Sequence, residues 1–245
     1  MKSRQNHAFT LMELLVVISL IVLLIAMLQP AMNQAKKTAR TVKCASNIDQ
    51  MATGMISLSD DFHGRLFPIT HGATEYWHTR LLLYVGNNAE LYLCPEATAD
   101  TLTGWHGDVS HAWGPGGGLM NNMKASYGMN LWLLPNGLFS ADPSMRQEGY
   151  IRQSDVAPSD TPVFGDSPWV GSWPDDQDFF PANLSTGHQR HAYGYFMGRF
   201  CIDRHNYAIN VSFMDGSAQT VRLPDLWKLR WHNDFTPGDP GAVMP

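Results

Sequence analysis

An acidic side chain, that of Glu13, stands at the start of the most apolar stretch of the sequence. From residue 14 to residue 28 every side chain is apolar except Ser19, and with residues 9–13 the run is long enough to cross a bilayer core as a helix. A charge costs about 2.5 to 3.5 kcal/mol at the centre of such a helix and somewhat less near its end. Because such a cost usually marks a function, Glu13 is the first candidate residue.

The sequence has ten histidines, which raises the question of a metal site. His188, His191 and His205 lie near one another, but they form neither the His-Glu-x-x-His nor the Cys-x-x-Cys spacing that would indicate zinc. Histidines that lie on the surface or stabilise loops are the better explanation. We therefore predict no metal site from them.

A short acidic run contains Asp175, Asp176 and Asp178, whose oxygens are of the kind that calcium binds. The complete calcium-loop pattern is absent, so the preferred interpretation is a solvated acidic turn. Calcium at this turn is the alternative.

Acid and base side chains also occur near the C-terminal end, where His205 is accompanied by Asp203 and Asp215. No candidate nucleophile lies in a recognisable strand-turn-helix elbow. We therefore expect no enzyme and interpret His205 as a residue whose hydrogen bond orders a hairpin. A membrane-tethered hydrolase is the less favoured alternative.

Tryptophans could form a face that stacks on sugars, which would make the chain a membrane-tethered module that binds carbohydrate. The candidates are Trp105, Trp113, Trp132, Trp169 and Trp173. In a loop-rich domain most tryptophans pack in the core, so carbohydrate binding is a secondary hypothesis.

The residues before the apolar run are typical of a cationic leader, since residues 1–8 carry Lys2 and Arg4 and no acid. A Sec-type signal peptide would need small residues around a cleavage point after the run, whereas residues 27–31 read Met-Leu-Gln-Pro-Ala. An uncleaved signal anchor, with Glu13 among the lipid headgroups, is the other alternative.

Residues 7–14 read His-Ala-Phe-Thr-Leu-Met-Glu-Leu, which resembles the processing site of type IV pilins and of the pseudopilins of type II secretion systems. The resemblance implies that prepilin peptidase cuts between Ala8 and Phe9 and that the new amine is methylated. The family usually has glycine at the position of Ala8. The resemblance also implies that Glu13 pairs with the terminal amine of a neighbouring subunit, because an unpaired charge there would be costly.

The apolar helix is predicted to continue beyond the membrane. After Pro30, which removes a backbone donor and should bend the helix, apolar residues recur every three or four positions up to Met55. Gly64 is the predicted end. A helix from residue 9 to about residue 59 would be on the order of 75 Å long. We assign residues 1–8 to the leader, 9–29 to a transmembrane helix, 30–60 to its amphipathic continuation and 61–245 to an exported globular domain.

The distal part is typical of a loop-rich β domain, because glycine (21), proline (15) and tryptophan (8) are plentiful and charged residues are only 16%. We expect a helix over residues 76–85 ended by Gly86, short strands at residues 91–93, 126–134 and 162–164, and an irregular loop over residues 105–122. Residues 207–214 and 218–223 predict a hairpin around Asp215 and Gly216. The expected fold class is α+β: a long N-terminal helix packed on a mainly antiparallel sheet with long loops.

Nine residues separate His205 from Asp215 and Gly216. This spacing resembles the His-x9-Asp-Gly hallmark of a large pilin-like family abundant in planctomycetes and their relatives. Residues 43–47, 93–95, 126–130 and 158–162 also match that family's pattern. The family offers no established role for the hallmark residues.

The chain has three cysteines, too few for a disulfide-stapled scaffold. An exported domain would nevertheless lie in an oxidising compartment where disulfides persist. We predict a disulfide between Cys44 and Cys94, because closing a loop of about 50 residues would constrain the unfolded chain by about 4 kcal/mol. Three buried free thiols are the alternative, and Cys201 is the expected unpaired residue.

The formal net charge of −5 gives no broad cationic surface, so nucleic acid is not an expected partner. The pilin resemblance implies prepilin peptidase, other pilin-like subunits, secretion or pilus machinery and membrane lipid as partners. It also implies a single-pass protein of the cytoplasmic (inner) membrane of a bacterium, with the C-terminal domain in the periplasm or at the cell surface. The expected role is assembly into a pseudopilus or a pilus-like filament, without a cofactor.

Overall fold

The structure is a computed structural model that describes residues 10–64, 77–97, 106–114, 123–134, 157–187 and 196–240. The chain divides into two compact units, residues 1–39 and residues 40–245. Helix α1, Leu11–Asp61, contributes residues to both units. The domain boundaries drawn from the sequence at residues 8, 29 and 60 stay predictions.

In the first unit, α1 is the one helix of the described residues that is long and apolar enough to cross a membrane. Pro30 lies inside this helix, where its missing N–H can be tolerated within a long helical run. The predicted long N-terminal helix is confirmed. The predicted bend at Pro30 stays a prediction.

In the second unit, α1 turns one apolar face towards the core. The core residues on that face recur at helical spacing: Cys44, Ile48, Met51, Met55 and Leu58. The helix ends where the predicted glycine stands, because Gly64 adopts a φ of 74° and its N–H donates to the Ser59 carbonyl at 2.9 Å. This bond satisfies one of the last carbonyls of the helix.

Helix α2, Trp77–Tyr84, packs against α1 at Gly54. A Cβ atom at Gly54 would lie 2.8 Å from Val85 Cγ1 and 3.3 Å from Leu81 Cδ1, so a larger residue would require these side chains to shift. The predicted helix over residues 76–85 agrees with α2 in the part that the structure describes, and Gly86 follows it with a φ of 67°.

The described residues of the second unit form one sheet of five strands in the order β3-β1-β2-β4-β5. The strands are β1 (Tyr127–Asn130), β2 (Pro162–Asp166), β3 (Gly171–Ser172), β4 (Ala208–Phe213) and β5 (Ala218–Arg222). Strand β3 runs parallel to β1, and the other neighbours are antiparallel. The α+β fold class is confirmed, and so is the hairpin of β4 and β5.

Two of the predicted strands differ from the structure. Residues 91–93 were expected in a strand, but Ala89–Tyr92 forms a 3-10 helix because the Asn88 side chain accepts a hydrogen bond from the Glu90 N–H at 3.1 Å. The expected strand over residues 126–134 is limited to β1. It ends where the Asn130 side chain accepts from the Trp132 N–H at 3.2 Å and starts the 3-10 helix Leu131–Leu133.

The tryptophans of the proposed sugar-stacking face are core residues where the structure describes them. These are Trp113, Trp132, Trp169 and Trp173, and all four are buried. Trp105 lies outside the described residues. Their burial leaves the carbohydrate hypothesis without support.

Candidate functional site

The first candidate site is the start of α1, where Thr10 and Glu13 bond to each other. The N–H and the hydroxyl of Thr10 donate to Glu13 Oε2 at 2.9 and 2.8 Å, and the Glu13 N–H donates to Thr10 Oγ1 at 3.2 Å. This reciprocal pattern is a capping box, which satisfies N–H groups that the first turn leaves without a helical partner. Ala8 and Phe9, the predicted processing site, lie outside the described residues.

The large apolar residues of α1 that follow Glu13 are exposed in the part of the chain that the structure describes. Between Leu11 and Leu28 the large apolar side chains are 45% to 86% exposed. A continuous apolar surface of this kind requires lipid or other protein around it. The Glu13 carboxylate therefore stands at one end of a surface built for an apolar environment.

The second candidate site, which we call the Asp166 cluster, consists of Cys44, Cys94, Asp166 and His205 in the second unit. All four residues are buried, and one potential ligand atom from each lies within 4.8 Å of those of the other three. They come from α1, the loop after the 3-10 helix Ala89–Tyr92, the end of β2 and the loop before β4.

A hydrogen bond near the two cysteines holds helix α1 against the loop that carries Cys94. Cys44 lies on the apolar face of α1, and one turn later the Asn47 side chain donates to the Leu93 carbonyl at 3.0 Å. This bond holds the loop that carries Cys94 against the helix. The Tyr127 hydroxyl, from β1, donates to Cys44 Sγ at 3.2 Å.

Asp166 is the last residue of β2, and its carboxylate is fully buried beside a buried cation. Arg204 Nη1 lies 3.1 Å from Asp166 Oδ1, and the Asn210 N–H donates to Asp166 Oδ2 at 2.8 Å. The Arg204 guanidinium also donates to the backbone carbonyls of Asp108, Val109 and Ser126. This dense bonding compensates the cost of burying both charges.

A tight turn places His205 next to these groups. Asn206 and Tyr207 both have a φ of 60°, and the His205 N–H donates to the Ala208 carbonyl at 3.0 Å. The imidazole Nδ1 then lies 3.2 Å from Thr41 Oγ1 on α1. The other ring nitrogen, Nε2, points to the centre of the cluster.

Three acceptor atoms surround His205 Nε2. They are Asp166 Oδ2 at 3.2 Å, Cys44 Sγ at 3.2 Å and Cys94 Sγ at 3.5 Å. Burial alone would lower the pKa of His205, but the hydrogen bond and the charge of Asp166 raise it to about 10. Burial alone would raise the pKa of Asp166, but the charges of His205 and Arg204 lower it to about 2.

This geometry differs from that of a cysteine-histidine-aspartate nucleophile set. Such a set needs the carboxylate on one imidazole nitrogen and the thiol on the other, so that the base is oriented while it takes the proton. Here the carboxylate and both thiols face Nε2, whereas Nδ1 faces Thr41. The arrangement suits the binding of a cation better than the activation of a nucleophile.

The structure separates His205 from Asp215, and the prediction that a hydrogen bond of His205 orders the hairpin stays a prediction. The Asp215 carboxylate accepts from the N–H and the hydroxyl of Ser217 at 2.9 and 2.6 Å, within the β4–β5 turn. Gly216 follows with a φ of 87°, which favours glycine in this turn. The acid–base set of the hydrolase hypothesis is therefore not assembled from these two residues.

The cysteines predicted to pair, Cys44 and Cys94, lie together in the Asp166 cluster, but the structure has them as free thiols. The disulfide stays a prediction. Cys201 is also a buried free thiol and lies outside the cluster.

The carboxylates of the acidic turn accept hydrogen bonds from backbone N–H groups of the protein. Asp178 Oδ2 accepts from the N–H groups of Asp175 and Met197, Asp175 from that of Gln177, and Asp176 from that of Thr236. Calcium at this turn stays the alternative to the preferred interpretation of an acidic turn. His188 and His191 lie outside the described residues.

Sequence analysis did not single out Asp166 of the cluster or Arg204, the buried cation beside it. Asp166 ends an apolar strand with a charge, which is an unusual place for a carboxylate, and Arg204 directly precedes the hallmark histidine. These signals draw attention to the two residues, but they do not show which other side chains each residue contacts.

Comparison with known protein families agrees with the N-terminal site. Residues 3–28 match the family described as the prokaryotic N-terminal methylation motif. The match covers Ala8, Phe9, Glu13 and most of the exposed apolar part of α1, and it supports a type IV pilin-like chain. No curated protein and no solved structure matches the chain.

Proposed function

We propose that this protein is a pilin-like (pseudopilin) subunit whose work is assembly and not catalysis. Prepilin peptidase removes residues 1–8 and exposes the Phe9 amine, which is then methylated. The observation that carries this proposal is the methylation motif at residues 3–28, joined directly to an apolar helix whose large side chains from Leu11 to Leu28 are exposed.

Before assembly, residues 9–29 of the subunit cross the cytoplasmic membrane once, and the domain that follows is exported. After assembly, the apolar surface of α1 lies against α1 of other copies in a type II secretion pseudopilus or a type IV pilus-like filament. In both environments the apolar surface of α1 is shielded from water, as its apolar composition requires. The His-x9-Asp-Gly spacing further supports placement in the planctomycete-type group of pilin-like proteins.

The Glu13 carboxylate meets the terminal amine of a neighbouring copy when the filament forms. In the single chain it is bonded to Thr10, which satisfies it until a stronger, charged partner arrives. The Thr10 groups that bond to it are neutral, whereas a terminal amine carries a full positive charge. The ion pair adds Coulomb attraction that the Thr10 bonds lack, so the exchange favours assembly.

Mass spectrometry of the N-terminus, on protein from native membranes, tests the processing step. We expect a mature chain that starts at Phe9 with a methylated amine. An Ala8→Gly variant, which restores the usual family residue, should be processed at least as completely. An intact Met1 on the membrane-bound protein would contradict the proposal.

Co-purification of two differently tagged copies from detergent extracts tests the assembly step. The copies should co-purify when both carry Glu13. Processed chains that never associate, in cells that express the matching secretion or pilus machinery, would count against a filament role.

A further inference from the structure

We propose that Cys44, Cys94, Asp166 and His205 form a closed, four-coordinate site for a structural zinc ion. This inference goes beyond the filament role and does not depend on it. It rests on the positions of the ligand atoms, on their burial and on the charge that surrounds them.

The distances between the ligand atoms fit a tetrahedral ion. With zinc–sulfur bonds of about 2.3 Å and zinc–nitrogen or zinc–oxygen bonds of about 2.0 Å, the edges of the tetrahedron are about 3.3 to 3.8 Å. The atoms of the cluster are separated by 3.2 Å (His205 Nε2 to Cys44 Sγ), 3.5 Å (Nε2 to Cys94 Sγ), 3.2 Å (Nε2 to Asp166 Oδ2) and 3.7 Å (Cys44 Sγ to Oδ2). Each lies within a few tenths of an ångström of a tetrahedral edge.

The convergence on His205 Nε2 is itself unusual for a hydrogen-bonded core. One N–H can donate well to one acceptor, yet three acceptors lie within 3.5 Å of this nitrogen. A cation at the centre would satisfy all four groups at once. The thiols and Nε2 would release their protons to solvent when it binds.

The next layer of side chains supports this orientation. Thr41 Oγ1 lies 3.2 Å from His205 Nδ1, which fixes the ring with Nε2 directed inward. The Tyr127 hydroxyl donates to Cys44 Sγ, and the Asn210 N–H donates to Asp166 Oδ2. Metal ligands in proteins characteristically have partners of this kind, which hold them in position.

The charges also balance around a divalent ion. Two thiolates and the Asp166 carboxylate carry three negative charges, and the buried Arg204 beside Asp166 carries one positive charge. A divalent cation brings the sum to zero, which removes the cost of an uncompensated charge in a buried site.

The ligand types select zinc among the common divalent ions. Two sulfurs and an imidazole suit zinc, whereas calcium and magnesium take oxygen ligands. All four residues are buried, which is typical of a structural site rather than a catalytic one that keeps a position open. A bound zinc would tie α1 to β2 and to two loops of the domain.

A disulfide between Cys44 and Cys94 is the competing chemistry, because two sulfurs joined to each other cannot both act as thiolate ligands. The full chain with Cys201→Ala, purified in detergent without chelators, distinguishes the two states. The chain has three cysteines, so this variant retains only those of the site. We expect one zinc per chain by elemental analysis and two alkylatable thiols after denaturation with a chelator.

The proposal is overturned if protein from native membranes contains a Cys44–Cys94 disulfide. It is also overturned if reduced protein loaded with zinc alone loses the metal on dialysis. Cobalt(II) gives a second readout that needs no ligand variant: a tetrahedral site with two thiolates should show a sulfur-to-cobalt charge-transfer band and intense visible absorption. A spectrum typical of octahedral cobalt would contradict the site.

Variants connect the metal to the named residues. Cys94→Ser should abolish tight zinc binding, and Thr41→Val, which removes the hydroxyl partner of His205 Nδ1, should weaken zinc affinity by about 10-fold to 100-fold. Cys201→Ala is the control and should keep the parent affinity. If Thr41→Val and Cys201→Ala bind zinc equally tightly, His205 is not a ligand in the proposed orientation.

Discussion

His205 and Asp215 lie beyond opposite ends of strand β4, and among the described residues their side chains share no partner. His205 faces Thr41 and the Asp166 cluster, whereas Asp215 caps the turn to β5 through Ser217. The strand between them has six residues, and five steps of about 3.3 Å separate its two ends by about 17 Å. The nine residues between His205 and Asp215 therefore consist mainly of strand β4. One hallmark residue lies in the buried cluster, and the other lies in the turn to β5.

This separation predicts that the two hallmark residues act independently on stability. The double variant His205→Gln with Asp215→Ala should show a coupling energy within about 0.5 kcal/mol of zero, because distant sites without shared partners are additive. The pair His205→Gln and Asp166→Asn is the positive control and should couple by about 0.5 to 3 kcal/mol. Urea unfolding of the full chain in detergent, followed by tryptophan fluorescence, measures both cycles. Equal coupling in the two cycles would contradict the separation.

The capping box allows the charge of Glu13 to be tested apart from its hydrogen bonds. Glu13→Gln keeps an acceptor for the Thr10 N–H, since glutamine also serves in capping boxes, but removes the negative charge. We expect this variant to enter the membrane normally and to lose co-purification with tagged copies.

Thr10→Val is the matched variant, because it removes the two bonds of the hydroxyl and leaves the carboxylate. It should cost about 0.5 to 2 kcal/mol of helix stability and should keep co-purification. If instead Thr10→Val abolishes association while Glu13→Gln does not, Glu13 acts only as a helix cap.

Two arginines that form ion pairs should differ widely in their contribution to stability. Arg204 and Asp166 are both fully buried, so Arg204→Met takes one of two cationic partners from a buried carboxylate and should cost about 3 to 5 kcal/mol. Arg40→Met breaks an exposed pair with Glu96, at 3.4 Å, and should cost about 0 to 1 kcal/mol. Unfolding free energies in urea check both values. Similar losses for the two variants would mean that the Arg204 pair is not the buried pair described above.

The elements of this fold follow from local patterns, and for that reason most of them could be predicted. The period of three to four residues identifies the packed face of α1 from Ile48 to Met55, whereas Val42 of the same period is exposed. The alternation around Asp215 and Gly216 identifies the β4–β5 hairpin. Residues 91–93 were assigned wrongly because the Asn88 cap, a local bond, competes with strand formation at that point.

The Asp166 cluster could not be predicted in the same way. Its contacts join residues separated by 161 positions (Cys44 and His205) and by 38 positions (Asp166 and Arg204). A helical period shows that Cys44 faces the core, but it does not show which loop or strand end lies opposite. Cys44, Cys94 and His205 were singled out for other reasons, and only the packing of α1 on the sheet brings them together.

His232 predicts a pH dependence that can be isolated with one substitution. Its side chain is 2% exposed and packs against Trp132 and Phe235, and Asp175 Oδ2 lies 4.0 Å from Nε2. Burial lowers the pKa of His232 to about 4, although the charges of Asp176 and Asp234 oppose this shift. Below about pH 6.5 the unfolded chain takes up a proton that the folded chain does not bind until about pH 4.

The unfolded state therefore binds more protons in this window, and the stability due to His232 is lost as the pH falls from about 6.5 to about 4. The loss should be about 2 to 3 kcal/mol. His232→Phe keeps an aromatic ring between Trp132 and Phe235 but cannot titrate, so its stability should fall less over the same range. His63→Asn, which removes an exposed histidine at a φ of 58° that asparagine tolerates, is the control. Unfolding free energies at pH 7, 5.5 and 4 give the comparison, and parallel curves for the parent and His232→Phe would show that His232 takes up its proton equally in both states.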